Sequence, residues 1–338
     1  MAARVLLISG NECTDPYPVY PLGLAFVTAA LEAHGHQTCW YDPLAGDEPV
    51  RAVVERFQPT VVGLSIRNID DVQIERQVSF QPQIERLCGE LRQCWRGPLV
   101  LGGSGFSIFP QRLMRQLRAD YGIVGEGEEA FPALLAAIES GASFDEVPGL
   151  LRWRDGALDA QPARPIDPAA IPSAARPPAC SPYYLRTTGM LNVQTQRGCS
   201  LGCVYCTYPG IEGGARRTRE PAAVAEEFRM LAEGGAEYCY VVDSVFNSSD
   251  GHIRDICEAL IEVGSPLEWG CFLRPRHIDR EMMRLMHQAG LRHAEFGSDS
   301  FDDSVLESYG KGFTFDDILA ATEAASAEGV RHCHFLIC

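Results

Sequence analysis

The stretch RGCSLGCVYC at positions 197–206 places three cysteines, Cys199, Cys203 and Cys206, in a C-x3-C-x2-C spacing. It follows an apolar-alternating run, 191–196, that predicts a β-strand. Three thiolates on one short glycine-bearing loop suit an iron–sulfur cube, and three protein ligands leave one iron without a protein ligand. An open metal position of this kind is where a small molecule can bind and react.

Two other uses of the three cysteines have to be weighed. A structural zinc site usually takes four ligands, often from two C-x2-C pairs. Only one such pair is present, and no His or Cys follows within twenty residues of Cys206. A disulfide would leave one of the three cysteines over. The spacing therefore favours the cluster, with zinc as the main alternative.

Composition describes an ordinary globular protein and excludes some classes of function. At 338 residues, two or so domains are expected. A net charge of −16 argues against a general nucleic-acid binder. The apolar run near the start, residues 5–8, is too short for a signal peptide, and no stretch has the 18 or so apolar residues of a membrane span. Thirteen cysteines without a signal peptide predict a reducing, cytoplasmic location.

Residues 1–148 read as an α/β domain. Strands are predicted at 5–9, 37–41, 59–66, 98–101 and 120–124, and helices at 20–34, 50–57, 74–95, 111–118 and 128–140. This alternation predicts a doubly wound, Rossmann-like parallel sheet, which binds ligands at the carboxyl ends of its strands. Ser65, Gly102 and Gly103 stand at two of those ends, where small residues let the backbone approach a bulky ligand closely.

Residues 149–190 predict a hairpin and a linker. The runs 149–154 and 157–160 flank Asp155-Gly156, a strong hairpin signal. Residues 161–181 then carry six prolines, which predicts an extended, semi-rigid domain boundary.

Residues 191–338 again alternate strands with helices. Strands are predicted at 191–196, 237–242, 267–273, 293–297 and 331–337, and helices at 221–233, 251–263, 279–288 and 315–328. Active sites of barrels built in this way lie at the carboxyl ends of the strands. The cysteine loop follows the first of these strands.

The cysteine spacing, with Tyr205 directly before the last cysteine, closely resembles the signature of the radical S-adenosylmethionine (SAM) enzymes. The strand–helix repeat resembles their partial (β/α)6 barrel. The resemblance implies that Cys199, Cys203 and Cys206 hold a 4Fe-4S cluster and that SAM chelates the fourth iron through its amino and carboxylate groups.

The same resemblance implies roles for residues at the other strand ends. Asp243 and Ser244 are placed to receive the SAM amino group, with a helix N-cap as the alternative for Asp243. Arg274 is placed to meet the SAM carboxylate, unless it forms a surface salt bridge. Asp299 stands where the family usually has the acid of G-x-E-S, and Tyr205 is placed to pack against adenine or to serve the core.

The first domain resembles the cobalamin-binding domain that precedes many radical SAM domains. The stretches PYPVYPLG (16–23) and GEGEEAF (125–131) carry this similarity. The D-x-H-x-x-G element of cobalamin domains with a lower histidine ligand is missing, since residues 10–20 contain no histidine. His34 and His36 are predicted at the opposite edge of the sheet. We therefore expect cobalamin without a protein histidine ligand; the alternative is a domain that has lost the cofactor and kept the fold.

The resemblance implies an enzyme that takes an electron from a donor such as flavodoxin or ferredoxin. It would cleave SAM to methionine and a 5′-deoxyadenosyl radical, and methylcobalamin would deliver a methyl group to an unactivated carbon of a small-molecule or lipid-like substrate. Ring closure or rearrangement, and a non-catalytic binding protein, are the alternatives. The family continues with a further turn and a sixth strand after residue 338, so we expect a truncated chain or one completed by a partner.

Overall fold

The computed structural model describes residues 2–71, 77–141, 143–167, 170–176 and 181–337. The chain divides into two compact units, residues 1–188 and 189–338. None of the helices in the described ranges is both long and apolar enough to cross a membrane.

The first unit is built on a seven-stranded sheet with the order β2-β1-β3-β4-β5-β6-β7. The first five strands in this order are mutually parallel, and β6 and β7 are antiparallel. The order reverses between β1 and β3, which is the topological switch point where such sheets bind ligands. The elements are β1 (Arg4–Ser9), α1 (Leu22–Ala33), β2 (Gln37–Tyr41), α2 (Val50–Phe57), β3 (Val61–Ser65), α3 (Gln81–Cys94), β4 (Leu99–Gly102), α4 (Ser104–Ile108), α5 (Pro110–Leu117), β5 (Tyr121–Ile123), α6 (Gly127–Ser140), a 3-10 turn (Phe144–Glu146), β6 (Leu150–Arg154), β7 (Ala157–Ala160) and α7 (Ser181–Thr188).

Apolar side chains cover both faces of this sheet. Along β1, Leu6 and Ile8 enter the core under α2, α3 and α5, while Val5 and Leu7 enter the core under α1 and α6. A strand that is buried on both faces has a continuous apolar sequence, and β1 could therefore be predicted from the sequence. The predicted doubly wound sheet is confirmed.

The first unit differs from the sequence predictions in three respects. The helix predicted at 74–95 begins only at Gln81, because Pro82 has no N–H and fits only a first turn. Residues 74–76 of that prediction lie outside the described residues. The short helices α4 and α7 were not predicted. The hairpin β6–β7 was assigned to a separate segment, but β6 pairs with β5 and extends the sheet.

The second unit contains a five-stranded, fully parallel sheet with the order β14-β13-β12-β11-β8. Its elements are β8 (Met190–Val193), β9 (Gln196–Arg197), α8 (Tyr208–Glu212), β10 (Arg217–Thr218), α9 (Pro221–Glu233), β11 (Tyr238–Val241), α10 (Asp250–Glu262), β12 (Glu268–Leu273), α11 (Arg280–Gln288), β13 (Leu291–Asp299), α12 (Asp303–Ser308), α13 (Phe315–Ala327) and β14 (Arg331–Leu336). Strands in chain order with intervening helices confirm the predicted partial barrel.

The strand predicted at 191–196 is two strands. After β8 the chain leaves the main sheet, and β9 pairs with β10 in a small antiparallel hairpin. The break coincides with the polar, buried run Gln194-Thr195-Gln196, whose side chains bond to neighbouring elements. The cysteine loop lies between the two strands of this hairpin.

Candidate functional site

The cysteine loop, residues 198–206, begins at a glycine that the backbone requires. Gly198 has φ +81°, and a Cβ added there would lie 2.1 Å from the Ala215 carbonyl oxygen. Its N–H donates to Glu212 Oε2 at 3.1 Å, and the Cys199 N–H donates to the Gly213 oxygen at 3.1 Å. The end of α8 therefore holds the start of the loop.

The three cysteines lie on this loop with different exposure. Cys199 is buried, whereas Cys203 and Cys206 are half-buried. The Cys206 N–H donates to the Cys203 oxygen at 3.1 Å, which makes a tight turn between them. Burial raises the pKa of the Cys206 thiol. The donor set is three thiols on one turn, the chemistry that an iron–sulfur cube uses.

The arrangement differs from that of a mononuclear site. Among the residues that the structure describes, no three His, Cys, Asp or Glu side chains are grouped to hold a metal ion. In a cube each thiolate ligates a different iron, so the three sulfurs need not meet at one point.

A second segment, Tyr309 to Gly312, packs against the cysteine loop. The Val204 N–H donates to the Tyr309 oxygen at 3.1 Å, and the Tyr205 and Tyr309 rings meet edge to face at 5.8 Å. Gly310 has φ +69°, and a Cβ there would lie 2.9 Å from the Gly202 oxygen. The loop is thus held on a second side by the turn after α12.

Asp243 lies at the predicted strand end, and its carboxylate is bonded within the protein. It is 1% exposed at the end of β11, and its carboxylate accepts the Thr195 N–H at 2.7 Å, the Gln196 N–H at 3.2 Å and the Thr195 hydroxyl. Burial raises the pKa of Asp243 to about 7. These hydrogen bonds tie the Asp243 side chain to the segment before the cysteine loop.

Thr195 links Asp243 to a buried histidine that sequence reasoning missed. His252 Nε2 lies 2.8 Å from Thr195 Oγ1, and burial lowers the pKa of His252 to about 4. His252 is in the first turn of α10, so the network joins β11, α10 and the segment between β8 and β9. Nothing in the residue pattern around His252 distinguishes it from a surface residue of the helix.

Asp299 and Tyr205 are brought together by Lys311. Asp299 is 7% exposed at the end of β13, with the Lys311 Nζ at 2.5 Å from its Oδ2. The Tyr205 hydroxyl donates to the same oxygen and lies 3.1 Å from Nζ. Lys311 was not predicted, although it is the only lysine among 29 Lys and Arg residues.

Arg274 and Ser244 are the two remaining predicted site residues at strand ends of the second unit. Arg274 follows β12; one of its Nη atoms donates to the Lys311 oxygen, and its Nε is buried without a hydrogen-bond partner among the described residues. An unpaired guanidinium N–H is the donor that a carboxylate would take up. Ser244 is half-buried beyond β11.

In the first unit, the predicted residues Ser65, Gly102 and Gly103 lie together at the carboxyl ends of β3 and β4. Gly103 has φ +96°, and an added Cβ would lie 2.6 Å from the Ile66 oxygen. Across the switch point, Gly10 N–H donates to the Ser65 oxygen at 2.9 Å. This edge is therefore made of closely packed backbone.

The two histidines of the first unit lie away from that edge. His34 caps the carboxyl end of α1, and His36 Nδ1 accepts the Ala3 N–H at 3.1 Å, beside the amino ends of β1 and β2.

Comparison with known proteins matches each unit to a family. Residues 193–338 match the Radical SAM superfamily, and residues 14–135 match the B12 binding domain. The chain carries a radical SAM domain and a B12 binding domain.

Similar proteins align with this chain over most of its length. The radical SAM methyltransferase TsrM from Kitasatospora setae, solved with tryptophan and a SAM analogue, matches with a TM-score of 0.89 and 25% identity over 98% of this chain and 67% of its own. The tryptophan 2-C-methyltransferase of Streptomyces laurentii is 26% identical, covering 98% of this radical SAM chain and 65% of the relative. The cytidylyl-2-hydroxyethylphosphonate methyltransferase of Streptomyces wedmorensis is 24% identical, covering 86% and 63%. The chain thus spans about two thirds of the length of these relatives.

Proposed function

We propose that this chain is the cofactor-binding part of a radical SAM enzyme that transfers a methyl group to an unactivated carbon of a small molecule. The observation that carries the proposal is the pairing, in one chain, of the three-cysteine loop with a B12 binding domain of the order β2-β1-β3-β4-β5. The similar TsrM has been solved with cobalamin and a [4Fe-4S] cluster bound. An enzyme with both cofactors has the electron source and the methyl carrier that such a transfer requires.

The residues divide the work between them. Cys199, Cys203 and Cys206 would hold the cluster, and the unpaired Arg274 Nε would meet the SAM carboxylate. The backbone edge at Ser65 and Gly103 would lie against cobalamin without a histidine ligand. When bound, the cluster supplies an electron to SAM and cobalamin carries the methyl group, while the protein orients the reactants and excludes water.

The names of the similar proteins indicate the class of substrate. One is named for tryptophan and another for a cytidylyl phosphonate, so relatives that align with most of this chain methylate chemically unrelated small molecules. We propose a small-molecule substrate, with a lipid or another secondary metabolite included in that class, and a flavodoxin or ferredoxin as the electron donor.

The first test is iron and sulfide content after anaerobic reconstitution. We expect about four irons per chain, lost when Cys199, Cys203 and Cys206 are changed to Ala. A matched control changes Cys239, Cys257 and Cys271 to Ala; these are buried in the same unit but outside the loop, and they should leave the iron in place. Zinc in place of iron, or iron that survives the loop variant, would contradict the cluster.

The second test follows the methyl group. Reconstituted protein given cobalamin, a reductant and SAM with a deuterated methyl group should yield methylcobalamin that carries the label, detected by mass spectrometry. Formation of unlabelled cobalamin alone, with the cluster intact, would contradict methyl transfer and leave SAM cleavage to be scored by release of methionine.

A further inference from the structure

We propose that the Lys311–Asp299 pair sets the charge beside the cysteine loop and thereby sets how readily the cluster is reduced. This inference rests on the proposed function, because it assigns a role toward the cluster. It concerns Lys311, which was not among the site residues predicted from the sequence.

The pair is buried and contacts the loop directly. The side chains of Lys311 and Asp299 are 8% and 9% exposed, and their charged atoms lie 2.5 Å apart. Lys311 Nζ also lies 3.1 Å from the hydroxyl of Tyr205, which stands between two of the three cysteines. An ammonium has three N–H groups, so two partners among the described residues leave it capacity for a third.

The backbone of Lys311 is fixed on both sides. Its N–H donates to the Leu306 oxygen at 3.0 Å, its oxygen accepts from Arg274, and the next oxygen, that of Gly312, accepts from Arg276. Nζ also lies 5.7 Å from the Tyr205 ring centroid and 5.5 Å from that of Phe313, within the range of cation–π attraction. The ammonium is therefore held at a constant position relative to the loop.

The charge arithmetic gives the direction of the effect. A [4Fe-4S]²⁺ core with three thiolates carries one net negative charge, and reduction adds a second. Charges buried near the cluster are poorly screened, and net charge and hydrogen bonding set cluster potentials. As a pair, Lys311 and Asp299 are neutral. Loss of Lys311 alone leaves a carboxylate that opposes reduction, and loss of Asp299 alone leaves an ammonium that favours it.

The test is an EPR-monitored redox titration of reconstituted protein. We expect Lys311→Met to shift the reduction potential to more negative values and Asp299→Asn to shift it to more positive values. Lys311→Arg and the double variant Lys311→Met/Asp299→Asn should stay near the wild-type value. Glu281→Gln, which breaks an exposed ion pair with Arg254 in the same unit, is the control and should leave the potential unmoved.

The outcomes separate this inference from the function it rests on. Four irons per chain with potentials that do not move, or that move in one direction in both single variants, would overturn the inference and leave the enzyme proposal standing. Failure of the wild type to assemble any cluster would overturn both.

A second measurement does not need the cluster. Because Lys311 is the only lysine, acylation of the chain reports its accessibility directly, with the terminal amine as the internal reference. We expect slow acylation of Lys311 in the native chain and several-fold faster acylation in Asp299→Asn, read by mass spectrometry. Equal rates at Lys311 in the two proteins would show that the pair does not form.

Discussion

The carboxyl-terminal edges of the two sheets differ in the groups that form them. In the first unit the edge is backbone: the Gly10 N–H bonds to the Ser65 oxygen, and Gly103 and Gly105 lie so close to the oxygens of Ile66 and Arg67 that a Cβ would collide with them. In the second unit the edge is made of buried polar side chains. Asp243 and Asp299 end two strands, and each is bonded to the cysteine loop or the segment before it.

The difference shows what each edge can do. A backbone edge has no side chain to rearrange, so it presents a fixed surface that suits a large, preformed ligand. A side-chain edge can position another part of the chain, and here it holds the loop that carries the three cysteines. The two aspartates also differ: among the described residues no ion pair is formed by the buried Asp243, whereas Asp299 is paired with Lys311.

The largest expected effect is at the side-chain edge. Asp243→Ala removes three hydrogen bonds and leaves the Thr195 N–H buried without its acceptor, which should cost about 3–5 kcal/mol of unfolding free energy. Iron retained per chain should fall at the same time. Asp316→Ala, at an exposed position in the first turn of α13, is the control and should cost less than about 1 kcal/mol. Equal losses in denaturant unfolding would contradict a supporting role for Asp243.

The backbone edge should respond to a single methyl group. Gly103→Ala combines a positive φ with a backbone oxygen 2.6 Å from the new Cβ, so we expect a loss of about 3 kcal/mol. Gly156→Ala has a similar φ of +80° in the hairpin turn but open space around the Cβ, and about 1 kcal/mol is expected. Thermal unfolding measures the difference, and a cobalamin titration should show weaker binding for Gly103→Ala alone. Binding unchanged by a folded Gly103→Ala would place the cofactor elsewhere.

The sequence predicted the fold in both units because the strands are apolar runs separated by helices. The α2 and α9 bounds came out as predicted, since the apolar stripe and the flanking Pro residues mark their starts. Short helices such as α4 and α8 were missed because five residues are too few to show a helical period. The start of α3 was misplaced because Pro82 was read as an interior helix position, whereas it lies in the first turn.

Only part of the candidate site could be predicted from the sequence. Cysteine spacing is local, so three positions in ten residues suffice to indicate the loop. Which way Asp243 points is decided by Thr195, which is 48 residues away in sequence, and the sequence gives no sign of that bond. Asp299 and Lys311 are only twelve residues apart, and the single lysine was a visible signal that pattern matching did not use. The contact between Asp243 and the distant Thr195 could not be predicted from the sequence, whereas the contact between Asp299 and the nearby Lys311 was overlooked.

The smallest expected effect concerns protons within the buried network Asp243–Thr195–His252. Burial raises the pKa of Asp243 from 3.8 to about 7 and lowers that of His252 from 6.5 to about 4. Between pH 4 and 6.5 the folded pair holds one proton, on Asp243, and the unfolded pair also holds one, on the histidine. Since folding then exchanges no net proton at these two groups, they add no slope to stability against pH.

Removing either group should reveal how the other makes the unfolding free energy depend on pH, and the two dependences should have opposite signs. In Asp243→Asn the depressed His252 remains, and its contribution is present above pH 6.5 and lost as the pH falls toward 4. In His252→Gln the raised Asp243 remains, and its contribution is present near pH 4 and lost as the pH rises toward 7. Urea midpoints at pH 4.5, 5.5 and 6.5, each compared with the wild type, should diverge in opposite directions by about 1–2 kcal/mol. Parallel profiles for the two variants would mean that folding does not shift the pKa values of Asp243 and His252. The side-chain edge would then hold the cysteine loop by hydrogen bonds alone.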